Sequence, residues 1–131
     1  MPFSHPIEVR FRDLDAMGHV NHAVVITFME QARFQWWRSF LGGRRFQEEG
    51  FLVARAEVDY RLPILLGDDV RVELRCAKVG NSSFELGYRL TKGLGGEVFV
   101  QGKTVQVMVD FTINRPKPLA APTRAWLEAQ T

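Results

Sequence analysis

The chain of 131 residues and 15.0 kDa is 46% hydrophobic and 24% charged, with a formal net charge of +2. These figures are typical of one soluble globular domain, expected over residues 1–131, and so small a positive charge does not indicate a nucleic-acid partner. The single Cys76 excludes an internal disulfide, and no apolar run is long enough for a membrane span or a signal peptide, so we expect a cytoplasmic protein without membrane contact.

The chain begins with an alternation of apolar and polar residues, which predicts a half-buried strand over Ile7–Arg12. Residues 13–22 then hold two acids, a glycine, two histidines and an asparagine. Polar groups at this density, directly before a helix, are typical of a helix cap, a metal site or a catalytic loop.

A long helix is predicted from Asn21 to Leu41, where the chain has no glycine or proline before the stop signal Gly42-Gly43. Its apolar stripe is wide, which indicates a central helix enclosed by other elements. Cys76 is expected to be a small core residue. The helix aromatic residues are expected in the core or in a subunit interface: Phe34, Trp36, Trp37 and Phe40.

The first turn of this helix carries groups that could bind a ligand or take part in a reaction. Asn21 is predicted to be its N-cap. Unpaired N–H groups in a first turn can bind an anion or polarise a carbonyl oxygen. Asp15, folded back by a turn at Gly18, could act on that carbonyl as a nucleophile or as a general base for water.

Four more strands are predicted after the helix, at Phe51–Leu62, Val70–Val79, Phe84–Thr91 and Val98–Phe111. The last one changes phase, and a β-bulge at Gly102 is the economical explanation. A short terminal helix over residues 123–130 would be capped by Thr123. One helix and five one-sided strands indicate an α+β protein with an antiparallel sheet around the helix.

Two runs in this pattern resemble a known family. DLDAMGHVNH at residues 13–22, followed by FMEQAR at 28–33, is similar to the 4-hydroxybenzoyl-CoA thioesterase-like acyl-CoA thioesterases of the hotdog-fold superfamily. VDYRLPILLGD at 58–68 and KVGNSSF at 78–84 extend the resemblance over nearly the whole chain. It implies a hotdog fold, with a five-stranded antiparallel sheet wrapped around one long central helix, and hydrolysis of an acyl-CoA thioester to free acid and thiol.

The resemblance also implies roles for residues. Asp15 would be the catalytic carboxylate, and the backbone N–H of His22 would donate to the thioester carbonyl, with the His22 side chain as a further catalytic candidate. Coenzyme A would be part of the substrate, with no separate cofactor and no metal. The protein would be a homodimer or a dimer of dimers with shared sites. The implied substrate-binding residues are Gly18, His19, Val20 and Asn21.

The chain departs from the family pattern where some members carry basic residues that hold nucleotide phosphates. Residues 80–83, just before Phe84, are Gly-Asn-Ser-Ser. Either phosphate contacts come from elsewhere in the chain, or the carrier is not coenzyme A. The unranked basic candidates are Arg44, Arg45, Arg61, Arg115 and Lys117.

Simpler explanations of the same residues stay open. Asp15 could merely cap the turn before the helix, and Glu30 with Arg33 could be an ordinary ion pair on the helix. Asp13, Asp15, His19 and His22 could also be metal ligands, although their spacing matches no strong template. At the level of the whole protein, the alternatives are a hotdog domain that binds acyl-CoA or an acyl carrier without hydrolysis and a hotdog dehydratase, whose loop pattern is not evident.

Overall fold

A computed structural model describes residues 2–131, in which a curled antiparallel sheet wraps around one long helix. The long strands run in the order β1-β3-β4-β5-β2, and β6 pairs with β5. The predicted α+β class and the sheet wrapped around a central helix are confirmed. The elements are β1 (Phe3–Ile7), α1 (His22–Leu41), β2 (Phe51–Tyr60), β3 (Val70–Val79), β4 (Ser83–Lys92), β5 (Val98–Asp110), β6 (Arg115–Pro116) and α2 (Ala121–Ala129), with 3-10 turns at Phe11–Asp13 and Phe46–Glu49.

Helix α1 has the boundaries and the cap that the sequence predicts. The Asn21 side chain accepts a hydrogen bond from the Ala23 N–H at 2.8 Å. Gly42 ends the helix in the left-handed conformation, at φ 58°, which glycine adopts without a steric penalty. Among the described residues, no helix is both long and apolar enough to cross a membrane.

The core lies between α1 and the inner face of the sheet. Trp36 and Trp37 are almost fully buried, and both pack on Phe84 of β4 and on Trp126 of α2. Phe34 is instead half exposed and stacks on Phe46 with ring centroids 4.7 Å apart. Cys76 is buried as predicted, and this burial raises the pKa of its thiol.

The predicted strand over Ile7–Arg12 is wrong, because β1 ends where that strand was expected to begin. Ile7 pairs with Val70, the first residue of β3, so the residues after Ile7 have no partner strand in the sheet. The chain turns into the 3-10 segment Phe11–Asp13 instead.

The predicted bulge at Gly102 is also wrong. Register runs without a break across Gly102 on both sides, and the irregularity in β5 lies at Phe99. A side chain at Gly102 would meet the Glu57 carbonyl oxygen at 2.8 Å and the Met29 side chain at 3.2 Å. Glycine is therefore required there by the close approach of helix α1 and strand β2, not by a change of phase.

The apparent phase change in β5 arises from polar residues on its inner face. Thr104 and Gln106 are fully buried there, while Val105 lies on the outer face. Thr104 bonds the Tyr88 hydroxyl at 2.6 Å, and the Tyr88 hydroxyl accepts from Arg33 at 3.1 Å. Gln106 bonds Thr104 and also donates to the Phe84 carbonyl at 3.1 Å. A buried polar chain thus connects α1 to the sheet, with its hydrogen-bonding groups paired.

Strand β2 is shorter than predicted and has a different alternation. It ends at Tyr60 instead of Leu62, and the register shift between Val53 and Arg55 makes Ala54 a bulge. Leu52 therefore lies on the opposite face from Ala56, although residues four apart share a face in a regular strand. β2 is the last strand of the sheet and most of it is exposed.

The terminal helix α2 begins two residues before the predicted start. Its N-cap is Ala120, and Pro122 lies in its first turn, where a proline is tolerated. Thr123 is not a cap: it is buried and donates to the Glu49 carboxylate at 2.7 Å. Lys117 also ion-pairs with Glu49, at 3.2 Å, so this buried acid attaches the C-terminal segment to the domain.

Candidate active site

The polar motif forms a closed loop directly before α1. The Asp15 N–H donates to the His19 carbonyl at 2.7 Å, and the Gly18 N–H donates to the Asp15 carbonyl at 3.0 Å. Gly18 has φ 79°, a left-handed conformation that favours glycine at this turn. Leu14 and Val20 form an isolated bridge across the base of the loop. The turn at Gly18 therefore exists, and it fixes Asp15 on the exposed side of the loop.

The two oxygens of the Asp15 carboxylate differ in their contacts. Oδ1 accepts from the Met17 N–H at 2.9 Å and from the His19 N–H at 3.2 Å. Oδ2 accepts no hydrogen bond from any residue between 2 and 131. One oxygen thus holds the loop in shape, as the capping interpretation requires, and the other is free for chemistry.

The first turn of α1 leaves a single N–H available. The Asn21 N–H donates to the Asp13 carbonyl at 2.8 Å, the Ala23 N–H donates to the Asn21 side chain, and Val24 and Val25 both donate to the Asn21 carbonyl. Within the described part of the chain, the His22 N–H has no acceptor. This free donor lies at the positive end of the helix dipole, where an oxyanion is favoured.

Asp13 has a structural role that its spacing from Asp15 does not reveal. It is only 2% exposed and accepts from the Arg10 backbone at 2.8 Å and from the Arg10 guanidinium at 3.0 Å. Burial favours a higher pKa for the Asp13 carboxyl, but the hydrogen bonds and charge of Arg10 outweigh it, so that the pKa is lowered. Asp13 therefore remains an ionised anchor for the loop.

The end of β2 and the segment that follows it make hydrogen bonds to the loop and to the start of α1. The Val20 N–H donates to the Ile64 carbonyl at 2.8 Å, and His19 bridges to Leu65. The Tyr60 hydroxyl donates to the His22 carbonyl at 2.7 Å. The sequence prediction gave Tyr60 no role beyond its place in the strand over Phe51–Leu62. The one available signal was its place inside the family-like run at residues 58–68.

The residues expected to bind substrate meet at this junction of loop and helix, but their accessibility differs. Gly18, His19 and His22 are exposed, and the His22 ring lies edge-on to the Tyr60 ring with centroids 6.3 Å apart. Val20 is buried, so only its backbone is a candidate for contact with a ligand. Asn21 is half-buried and its side chain is engaged as the cap.

The structure also places the candidate metal ligands, the Glu30–Arg33 pair and the basic residues considered for phosphate binding. Within residues 2–131, no three His, Cys, Asp or Glu side chains lie close enough together to hold a metal ion. Glu30 and Arg33 do approach each other, at 3.9 Å, as a helix pair. Of the basic candidates for phosphate, Arg61 donates to Gln101 and Lys117 is paired with Glu49.

Two of the grooves on the surface of residues 2–131 are large enough for a small-molecule ligand. One of about 600 Å³ lies between α1 and β2 and is mainly apolar. A larger one, of about 810 Å³, lies on the outer face of the sheet among charged side chains, and neither groove is lined by a residue of the motif loop. The first is the better candidate for an apolar ligand because it adjoins α1 and has apolar walls. Those walls include Phe34, Phe46, Phe51, Leu52, Val53 and Phe111.

The chain is similar in sequence to proteins that are named as thioester hydrolases. The chain is 30% identical over 124 residues to the acyl-CoA thioesterase YbgC of Haemophilus influenzae, covering 92% of this chain and 88% of that protein. It is 25% identical over 126 residues to the 1,4-dihydroxy-2-naphthoyl-CoA hydrolase of Synechococcus elongatus, covering 92% and 90% of the two chains.

A solved structure is similar over the same extent. The crystal structure of a thioesterase from Thermus thermophilus, complexed with coenzyme A and Zn, matches with a TM-score of 0.86 and 38% identity over 97% of this chain and 92% of that one. This similarity confirms the predicted hotdog fold. The sequence model of one protein family, the thioesterase-like superfamily, matches residues 9–127 of the chain. The chain therefore belongs to that superfamily.

Proposed function

We propose that this protein hydrolyses acyl-CoA thioesters, with Asp15 and the first turn of α1 as the reacting site. The observation that carries the proposal is that two groups seven residues apart lack a hydrogen-bond partner within residues 2–131: the carboxylate oxygen Asp15 Oδ2 in the motif loop and the His22 N–H at the start of α1. Relatives named as acyl-CoA thioesterases and as a naphthoyl-CoA hydrolase support the choice of reaction.

The proposed reaction begins with the thioester carbonyl oxygen accepting from the His22 N–H. Asp15 Oδ2 removes a proton from water, whose oxygen bonds to the carbonyl carbon, and the negative charge that develops on the carbonyl oxygen is stabilised by the helix terminus. Collapse of the tetrahedral intermediate breaks the carbon–sulfur bond, and the proton held by Asp15 passes to the leaving thiolate, so that the free acid and the thiol are released. Attack by Asp15 itself, followed by hydrolysis of the anhydride, is the alternative role of the same oxygen.

The acyl group would extend along α1 into the apolar groove. Glu30, at the near end of that groove, is eight residues beyond His22, which corresponds to about 12 Å along a helix. Aromatic walls suit a long aliphatic or an aromatic acyl group. Coenzyme A enters as part of the substrate, so the proposed reaction needs no other cofactor.

The proposed assembly is a homodimer formed through strand β2, or a tetramer built from two such dimers. This strand ends the sheet, and its unpaired edge is long and exposed, with Leu52 and Val53 both open to solvent. Such an edge invites pairing with another strand, and a symmetric pair is the commonest solution. A second subunit there would also cover the apolar groove. A cytoplasmic location remains part of the proposal.

A non-hydrolytic acyl-CoA-binding protein is the second candidate. The bonds from Met17 and His19 to Asp15 Oδ1 favour it, because they give the carboxylate a structural role that needs no reaction. The test is thiol release from a panel of acyl-CoAs that spans short, long and aromatic acyl groups. Catalytic release from any member supports hydrolysis. Saturable binding without release from any member would replace the proposal with the binding function.

A further inference from the structure

The first turn of α1 is attached to a distant strand through one hydrogen bond. Tyr60, the last residue of β2, donates from its hydroxyl to the His22 carbonyl at 2.7 Å, across 38 positions of sequence. In an α-helix that carbonyl also accepts the N–H four residues later, so Tyr60 adds a second donor to a group that is already paired. The bond from Tyr60 is therefore not needed to give the His22 carbonyl a hydrogen-bond partner.

The other contacts of this turn act on the neighbours of His22. The Asn21 N–H is held by the Asp13 carbonyl, and the Ala23 N–H is held by the Asn21 side chain. In the part of the chain that the structure describes, Tyr60 is the one side chain that hydrogen-bonds the His22 backbone. The N–H and the C=O of His22 flank the same α-carbon, so a bond that fixes the carbonyl limits the direction of the N–H.

We propose that Tyr60 is a positioning residue, whose hydroxyl aims the free His22 N–H at the carbonyl oxygen of the bound thioester. The inference rests on the proposed function. A donor of this kind must lie at about 2.7–3.1 Å from the position where the oxyanion forms. A small rotation of the first turn would weaken the transition state more than the bound substrate, because the charge on that oxygen develops only during the reaction.

The chemistry of Tyr60 suits a permanent donor. Partial burial raises the pKa of its hydroxyl, so the proton that makes the bond is retained throughout the neutral range. The chain has one other tyrosine, Tyr88, whose hydroxyl also makes hydrogen bonds but lies in the buried polar chain with Arg33 and Thr104. Tyr88 therefore provides a matched control for the removal of one bonded phenolic hydroxyl.

The experiment compares Tyr60→Phe with Tyr88→Phe, using an acyl-CoA that the wild type hydrolyses and measuring kcat, KM and the melting temperature. For Tyr60→Phe we expect kcat to fall about tenfold, within the hundredfold that a misplacement of about 1 Å can cause. KM and melting temperature should stay close to wild type. For Tyr88→Phe the melting temperature should fall, while folded protein should keep its kcat.

A second comparison tests how the contact acts. Repeating Tyr60→Phe in a His22→Ala background should reduce kcat by the same factor, because the bond is made to the backbone of residue 22. If the effect disappears there, Tyr60 acts through the imidazole ring and the inference is wrong.

The remaining outcomes are equally decisive. An unchanged kcat in Tyr60→Phe, a change in KM alone, or a loss that follows the fraction of unfolded protein would each reduce Tyr60 to a structural residue. Absence of thiol release from the wild type is a different result, because it overturns the proposed function itself.

Discussion

Asp13 and Asp15 are two residues apart, yet Asp13 is buried against the Arg10 guanidinium at 3.0 Å, while Asp15 is exposed and one of its carboxylate oxygens has no hydrogen-bond partner within residues 2–131. The difference arises because Asp13 ends the 3-10 segment and faces back to Arg10, whereas Asp15 opens the turn at Gly18. The same residue type thus has two roles in one loop, an anchor and a candidate reactive group.

Asp15→Asn should abolish most of the activity without unfolding the loop. The amide oxygen can still accept from Met17 and His19, but the variant lacks a carboxylate that could remove a proton or attack carbon. We expect a loss in kcat of at least about a hundredfold, the usual contribution of one general acid–base group. Thiol release and the melting temperature would be measured on the same preparation.

Asp13→Asn is the matched control, and its expected signature is the reverse. It should lower stability while folded protein keeps most of its turnover, since Asp13 contacts Arg10 and not the substrate site. Wild-type turnover in well-folded Asp15→Asn would leave Asp15 only its capping role.

His22→Ala separates the backbone of His22 from its side chain. Alanine retains the N–H that we assign to the thioester carbonyl and favours the helix, so kcat should be largely preserved if the N–H alone acts. The measurement is a pH profile of kcat from about pH 5 to pH 8, the range in which imidazole titrates. Loss of a limb in the variant would make the imidazole catalytic, and an unchanged rate and profile would remove the side chain from the mechanism.

Acid stability should report on Asp13. Its pKa is lowered in the folded protein, so the folded state binds the proton less well than the unfolded state. Its contribution is fully present above the ordinary carboxyl pKa of about 4 and is lost as the pH falls through that value towards the lowered one. Urea unfolding of wild type and Asp13→Asn should differ by about 2 kcal/mol at pH 7, the scale of hydrogen bonds to a charged group.

That difference should shrink steadily below pH 4. A difference that is constant between pH 7 and pH 3 would mean that the stabilisation does not come from the ionised carboxylate, and the contact with Arg10 would then be of no electrostatic consequence.

The central helix and most strands could be predicted because their signals are local. Asn21 marks the helix start by its side-chain oxygen and Gly42 marks the end by its lack of a side chain, and the third strand alternates from Val70 to Cys76. The first strand was misplaced because its end is decided by a partner: β1 stops at Ile7 where β3 begins. No property of the residues after Ile7 contains that information.

The candidate site was expected from the sequence as a set of residues but not as a set of contacts. The residue pattern pointed to Asp15 and to the first turn of the helix, because the two are adjacent in sequence, and the family resemblance pointed to His22. The bond from Tyr60 to His22 joins distant segments, and burial of Thr104 depends on Tyr88 across the sheet. Both relationships arise from tertiary packing, which alternation of residue types along one strand does not encode.

The last prediction concerns assembly through β2. Light scattering should give a mass of at least about twice the 15.0 kDa of one chain. Specific activity should fall on dilution as subunits separate, because a shared groove would lose one wall. A fully active species of one-chain mass would refute the shared site.

A pair of variants sharpens this test. Leu52→Lys places a charge on the exposed face of β2. In a symmetric dimer paired through β2, the same lysine of the second subunit would lie close to it, and the repulsion between the like charges should shift the equilibrium towards monomer. Leu94→Lys is the control, because Leu94 is even more exposed, at 72% against 56%, but lies in the turn between β4 and β5. Dissociation in the first variant only would support association through β2, whatever the change in activity, because Leu52 also lines the apolar groove. Equal behaviour of the two variants would contradict it, because the change in β2 would then have no specific effect on assembly.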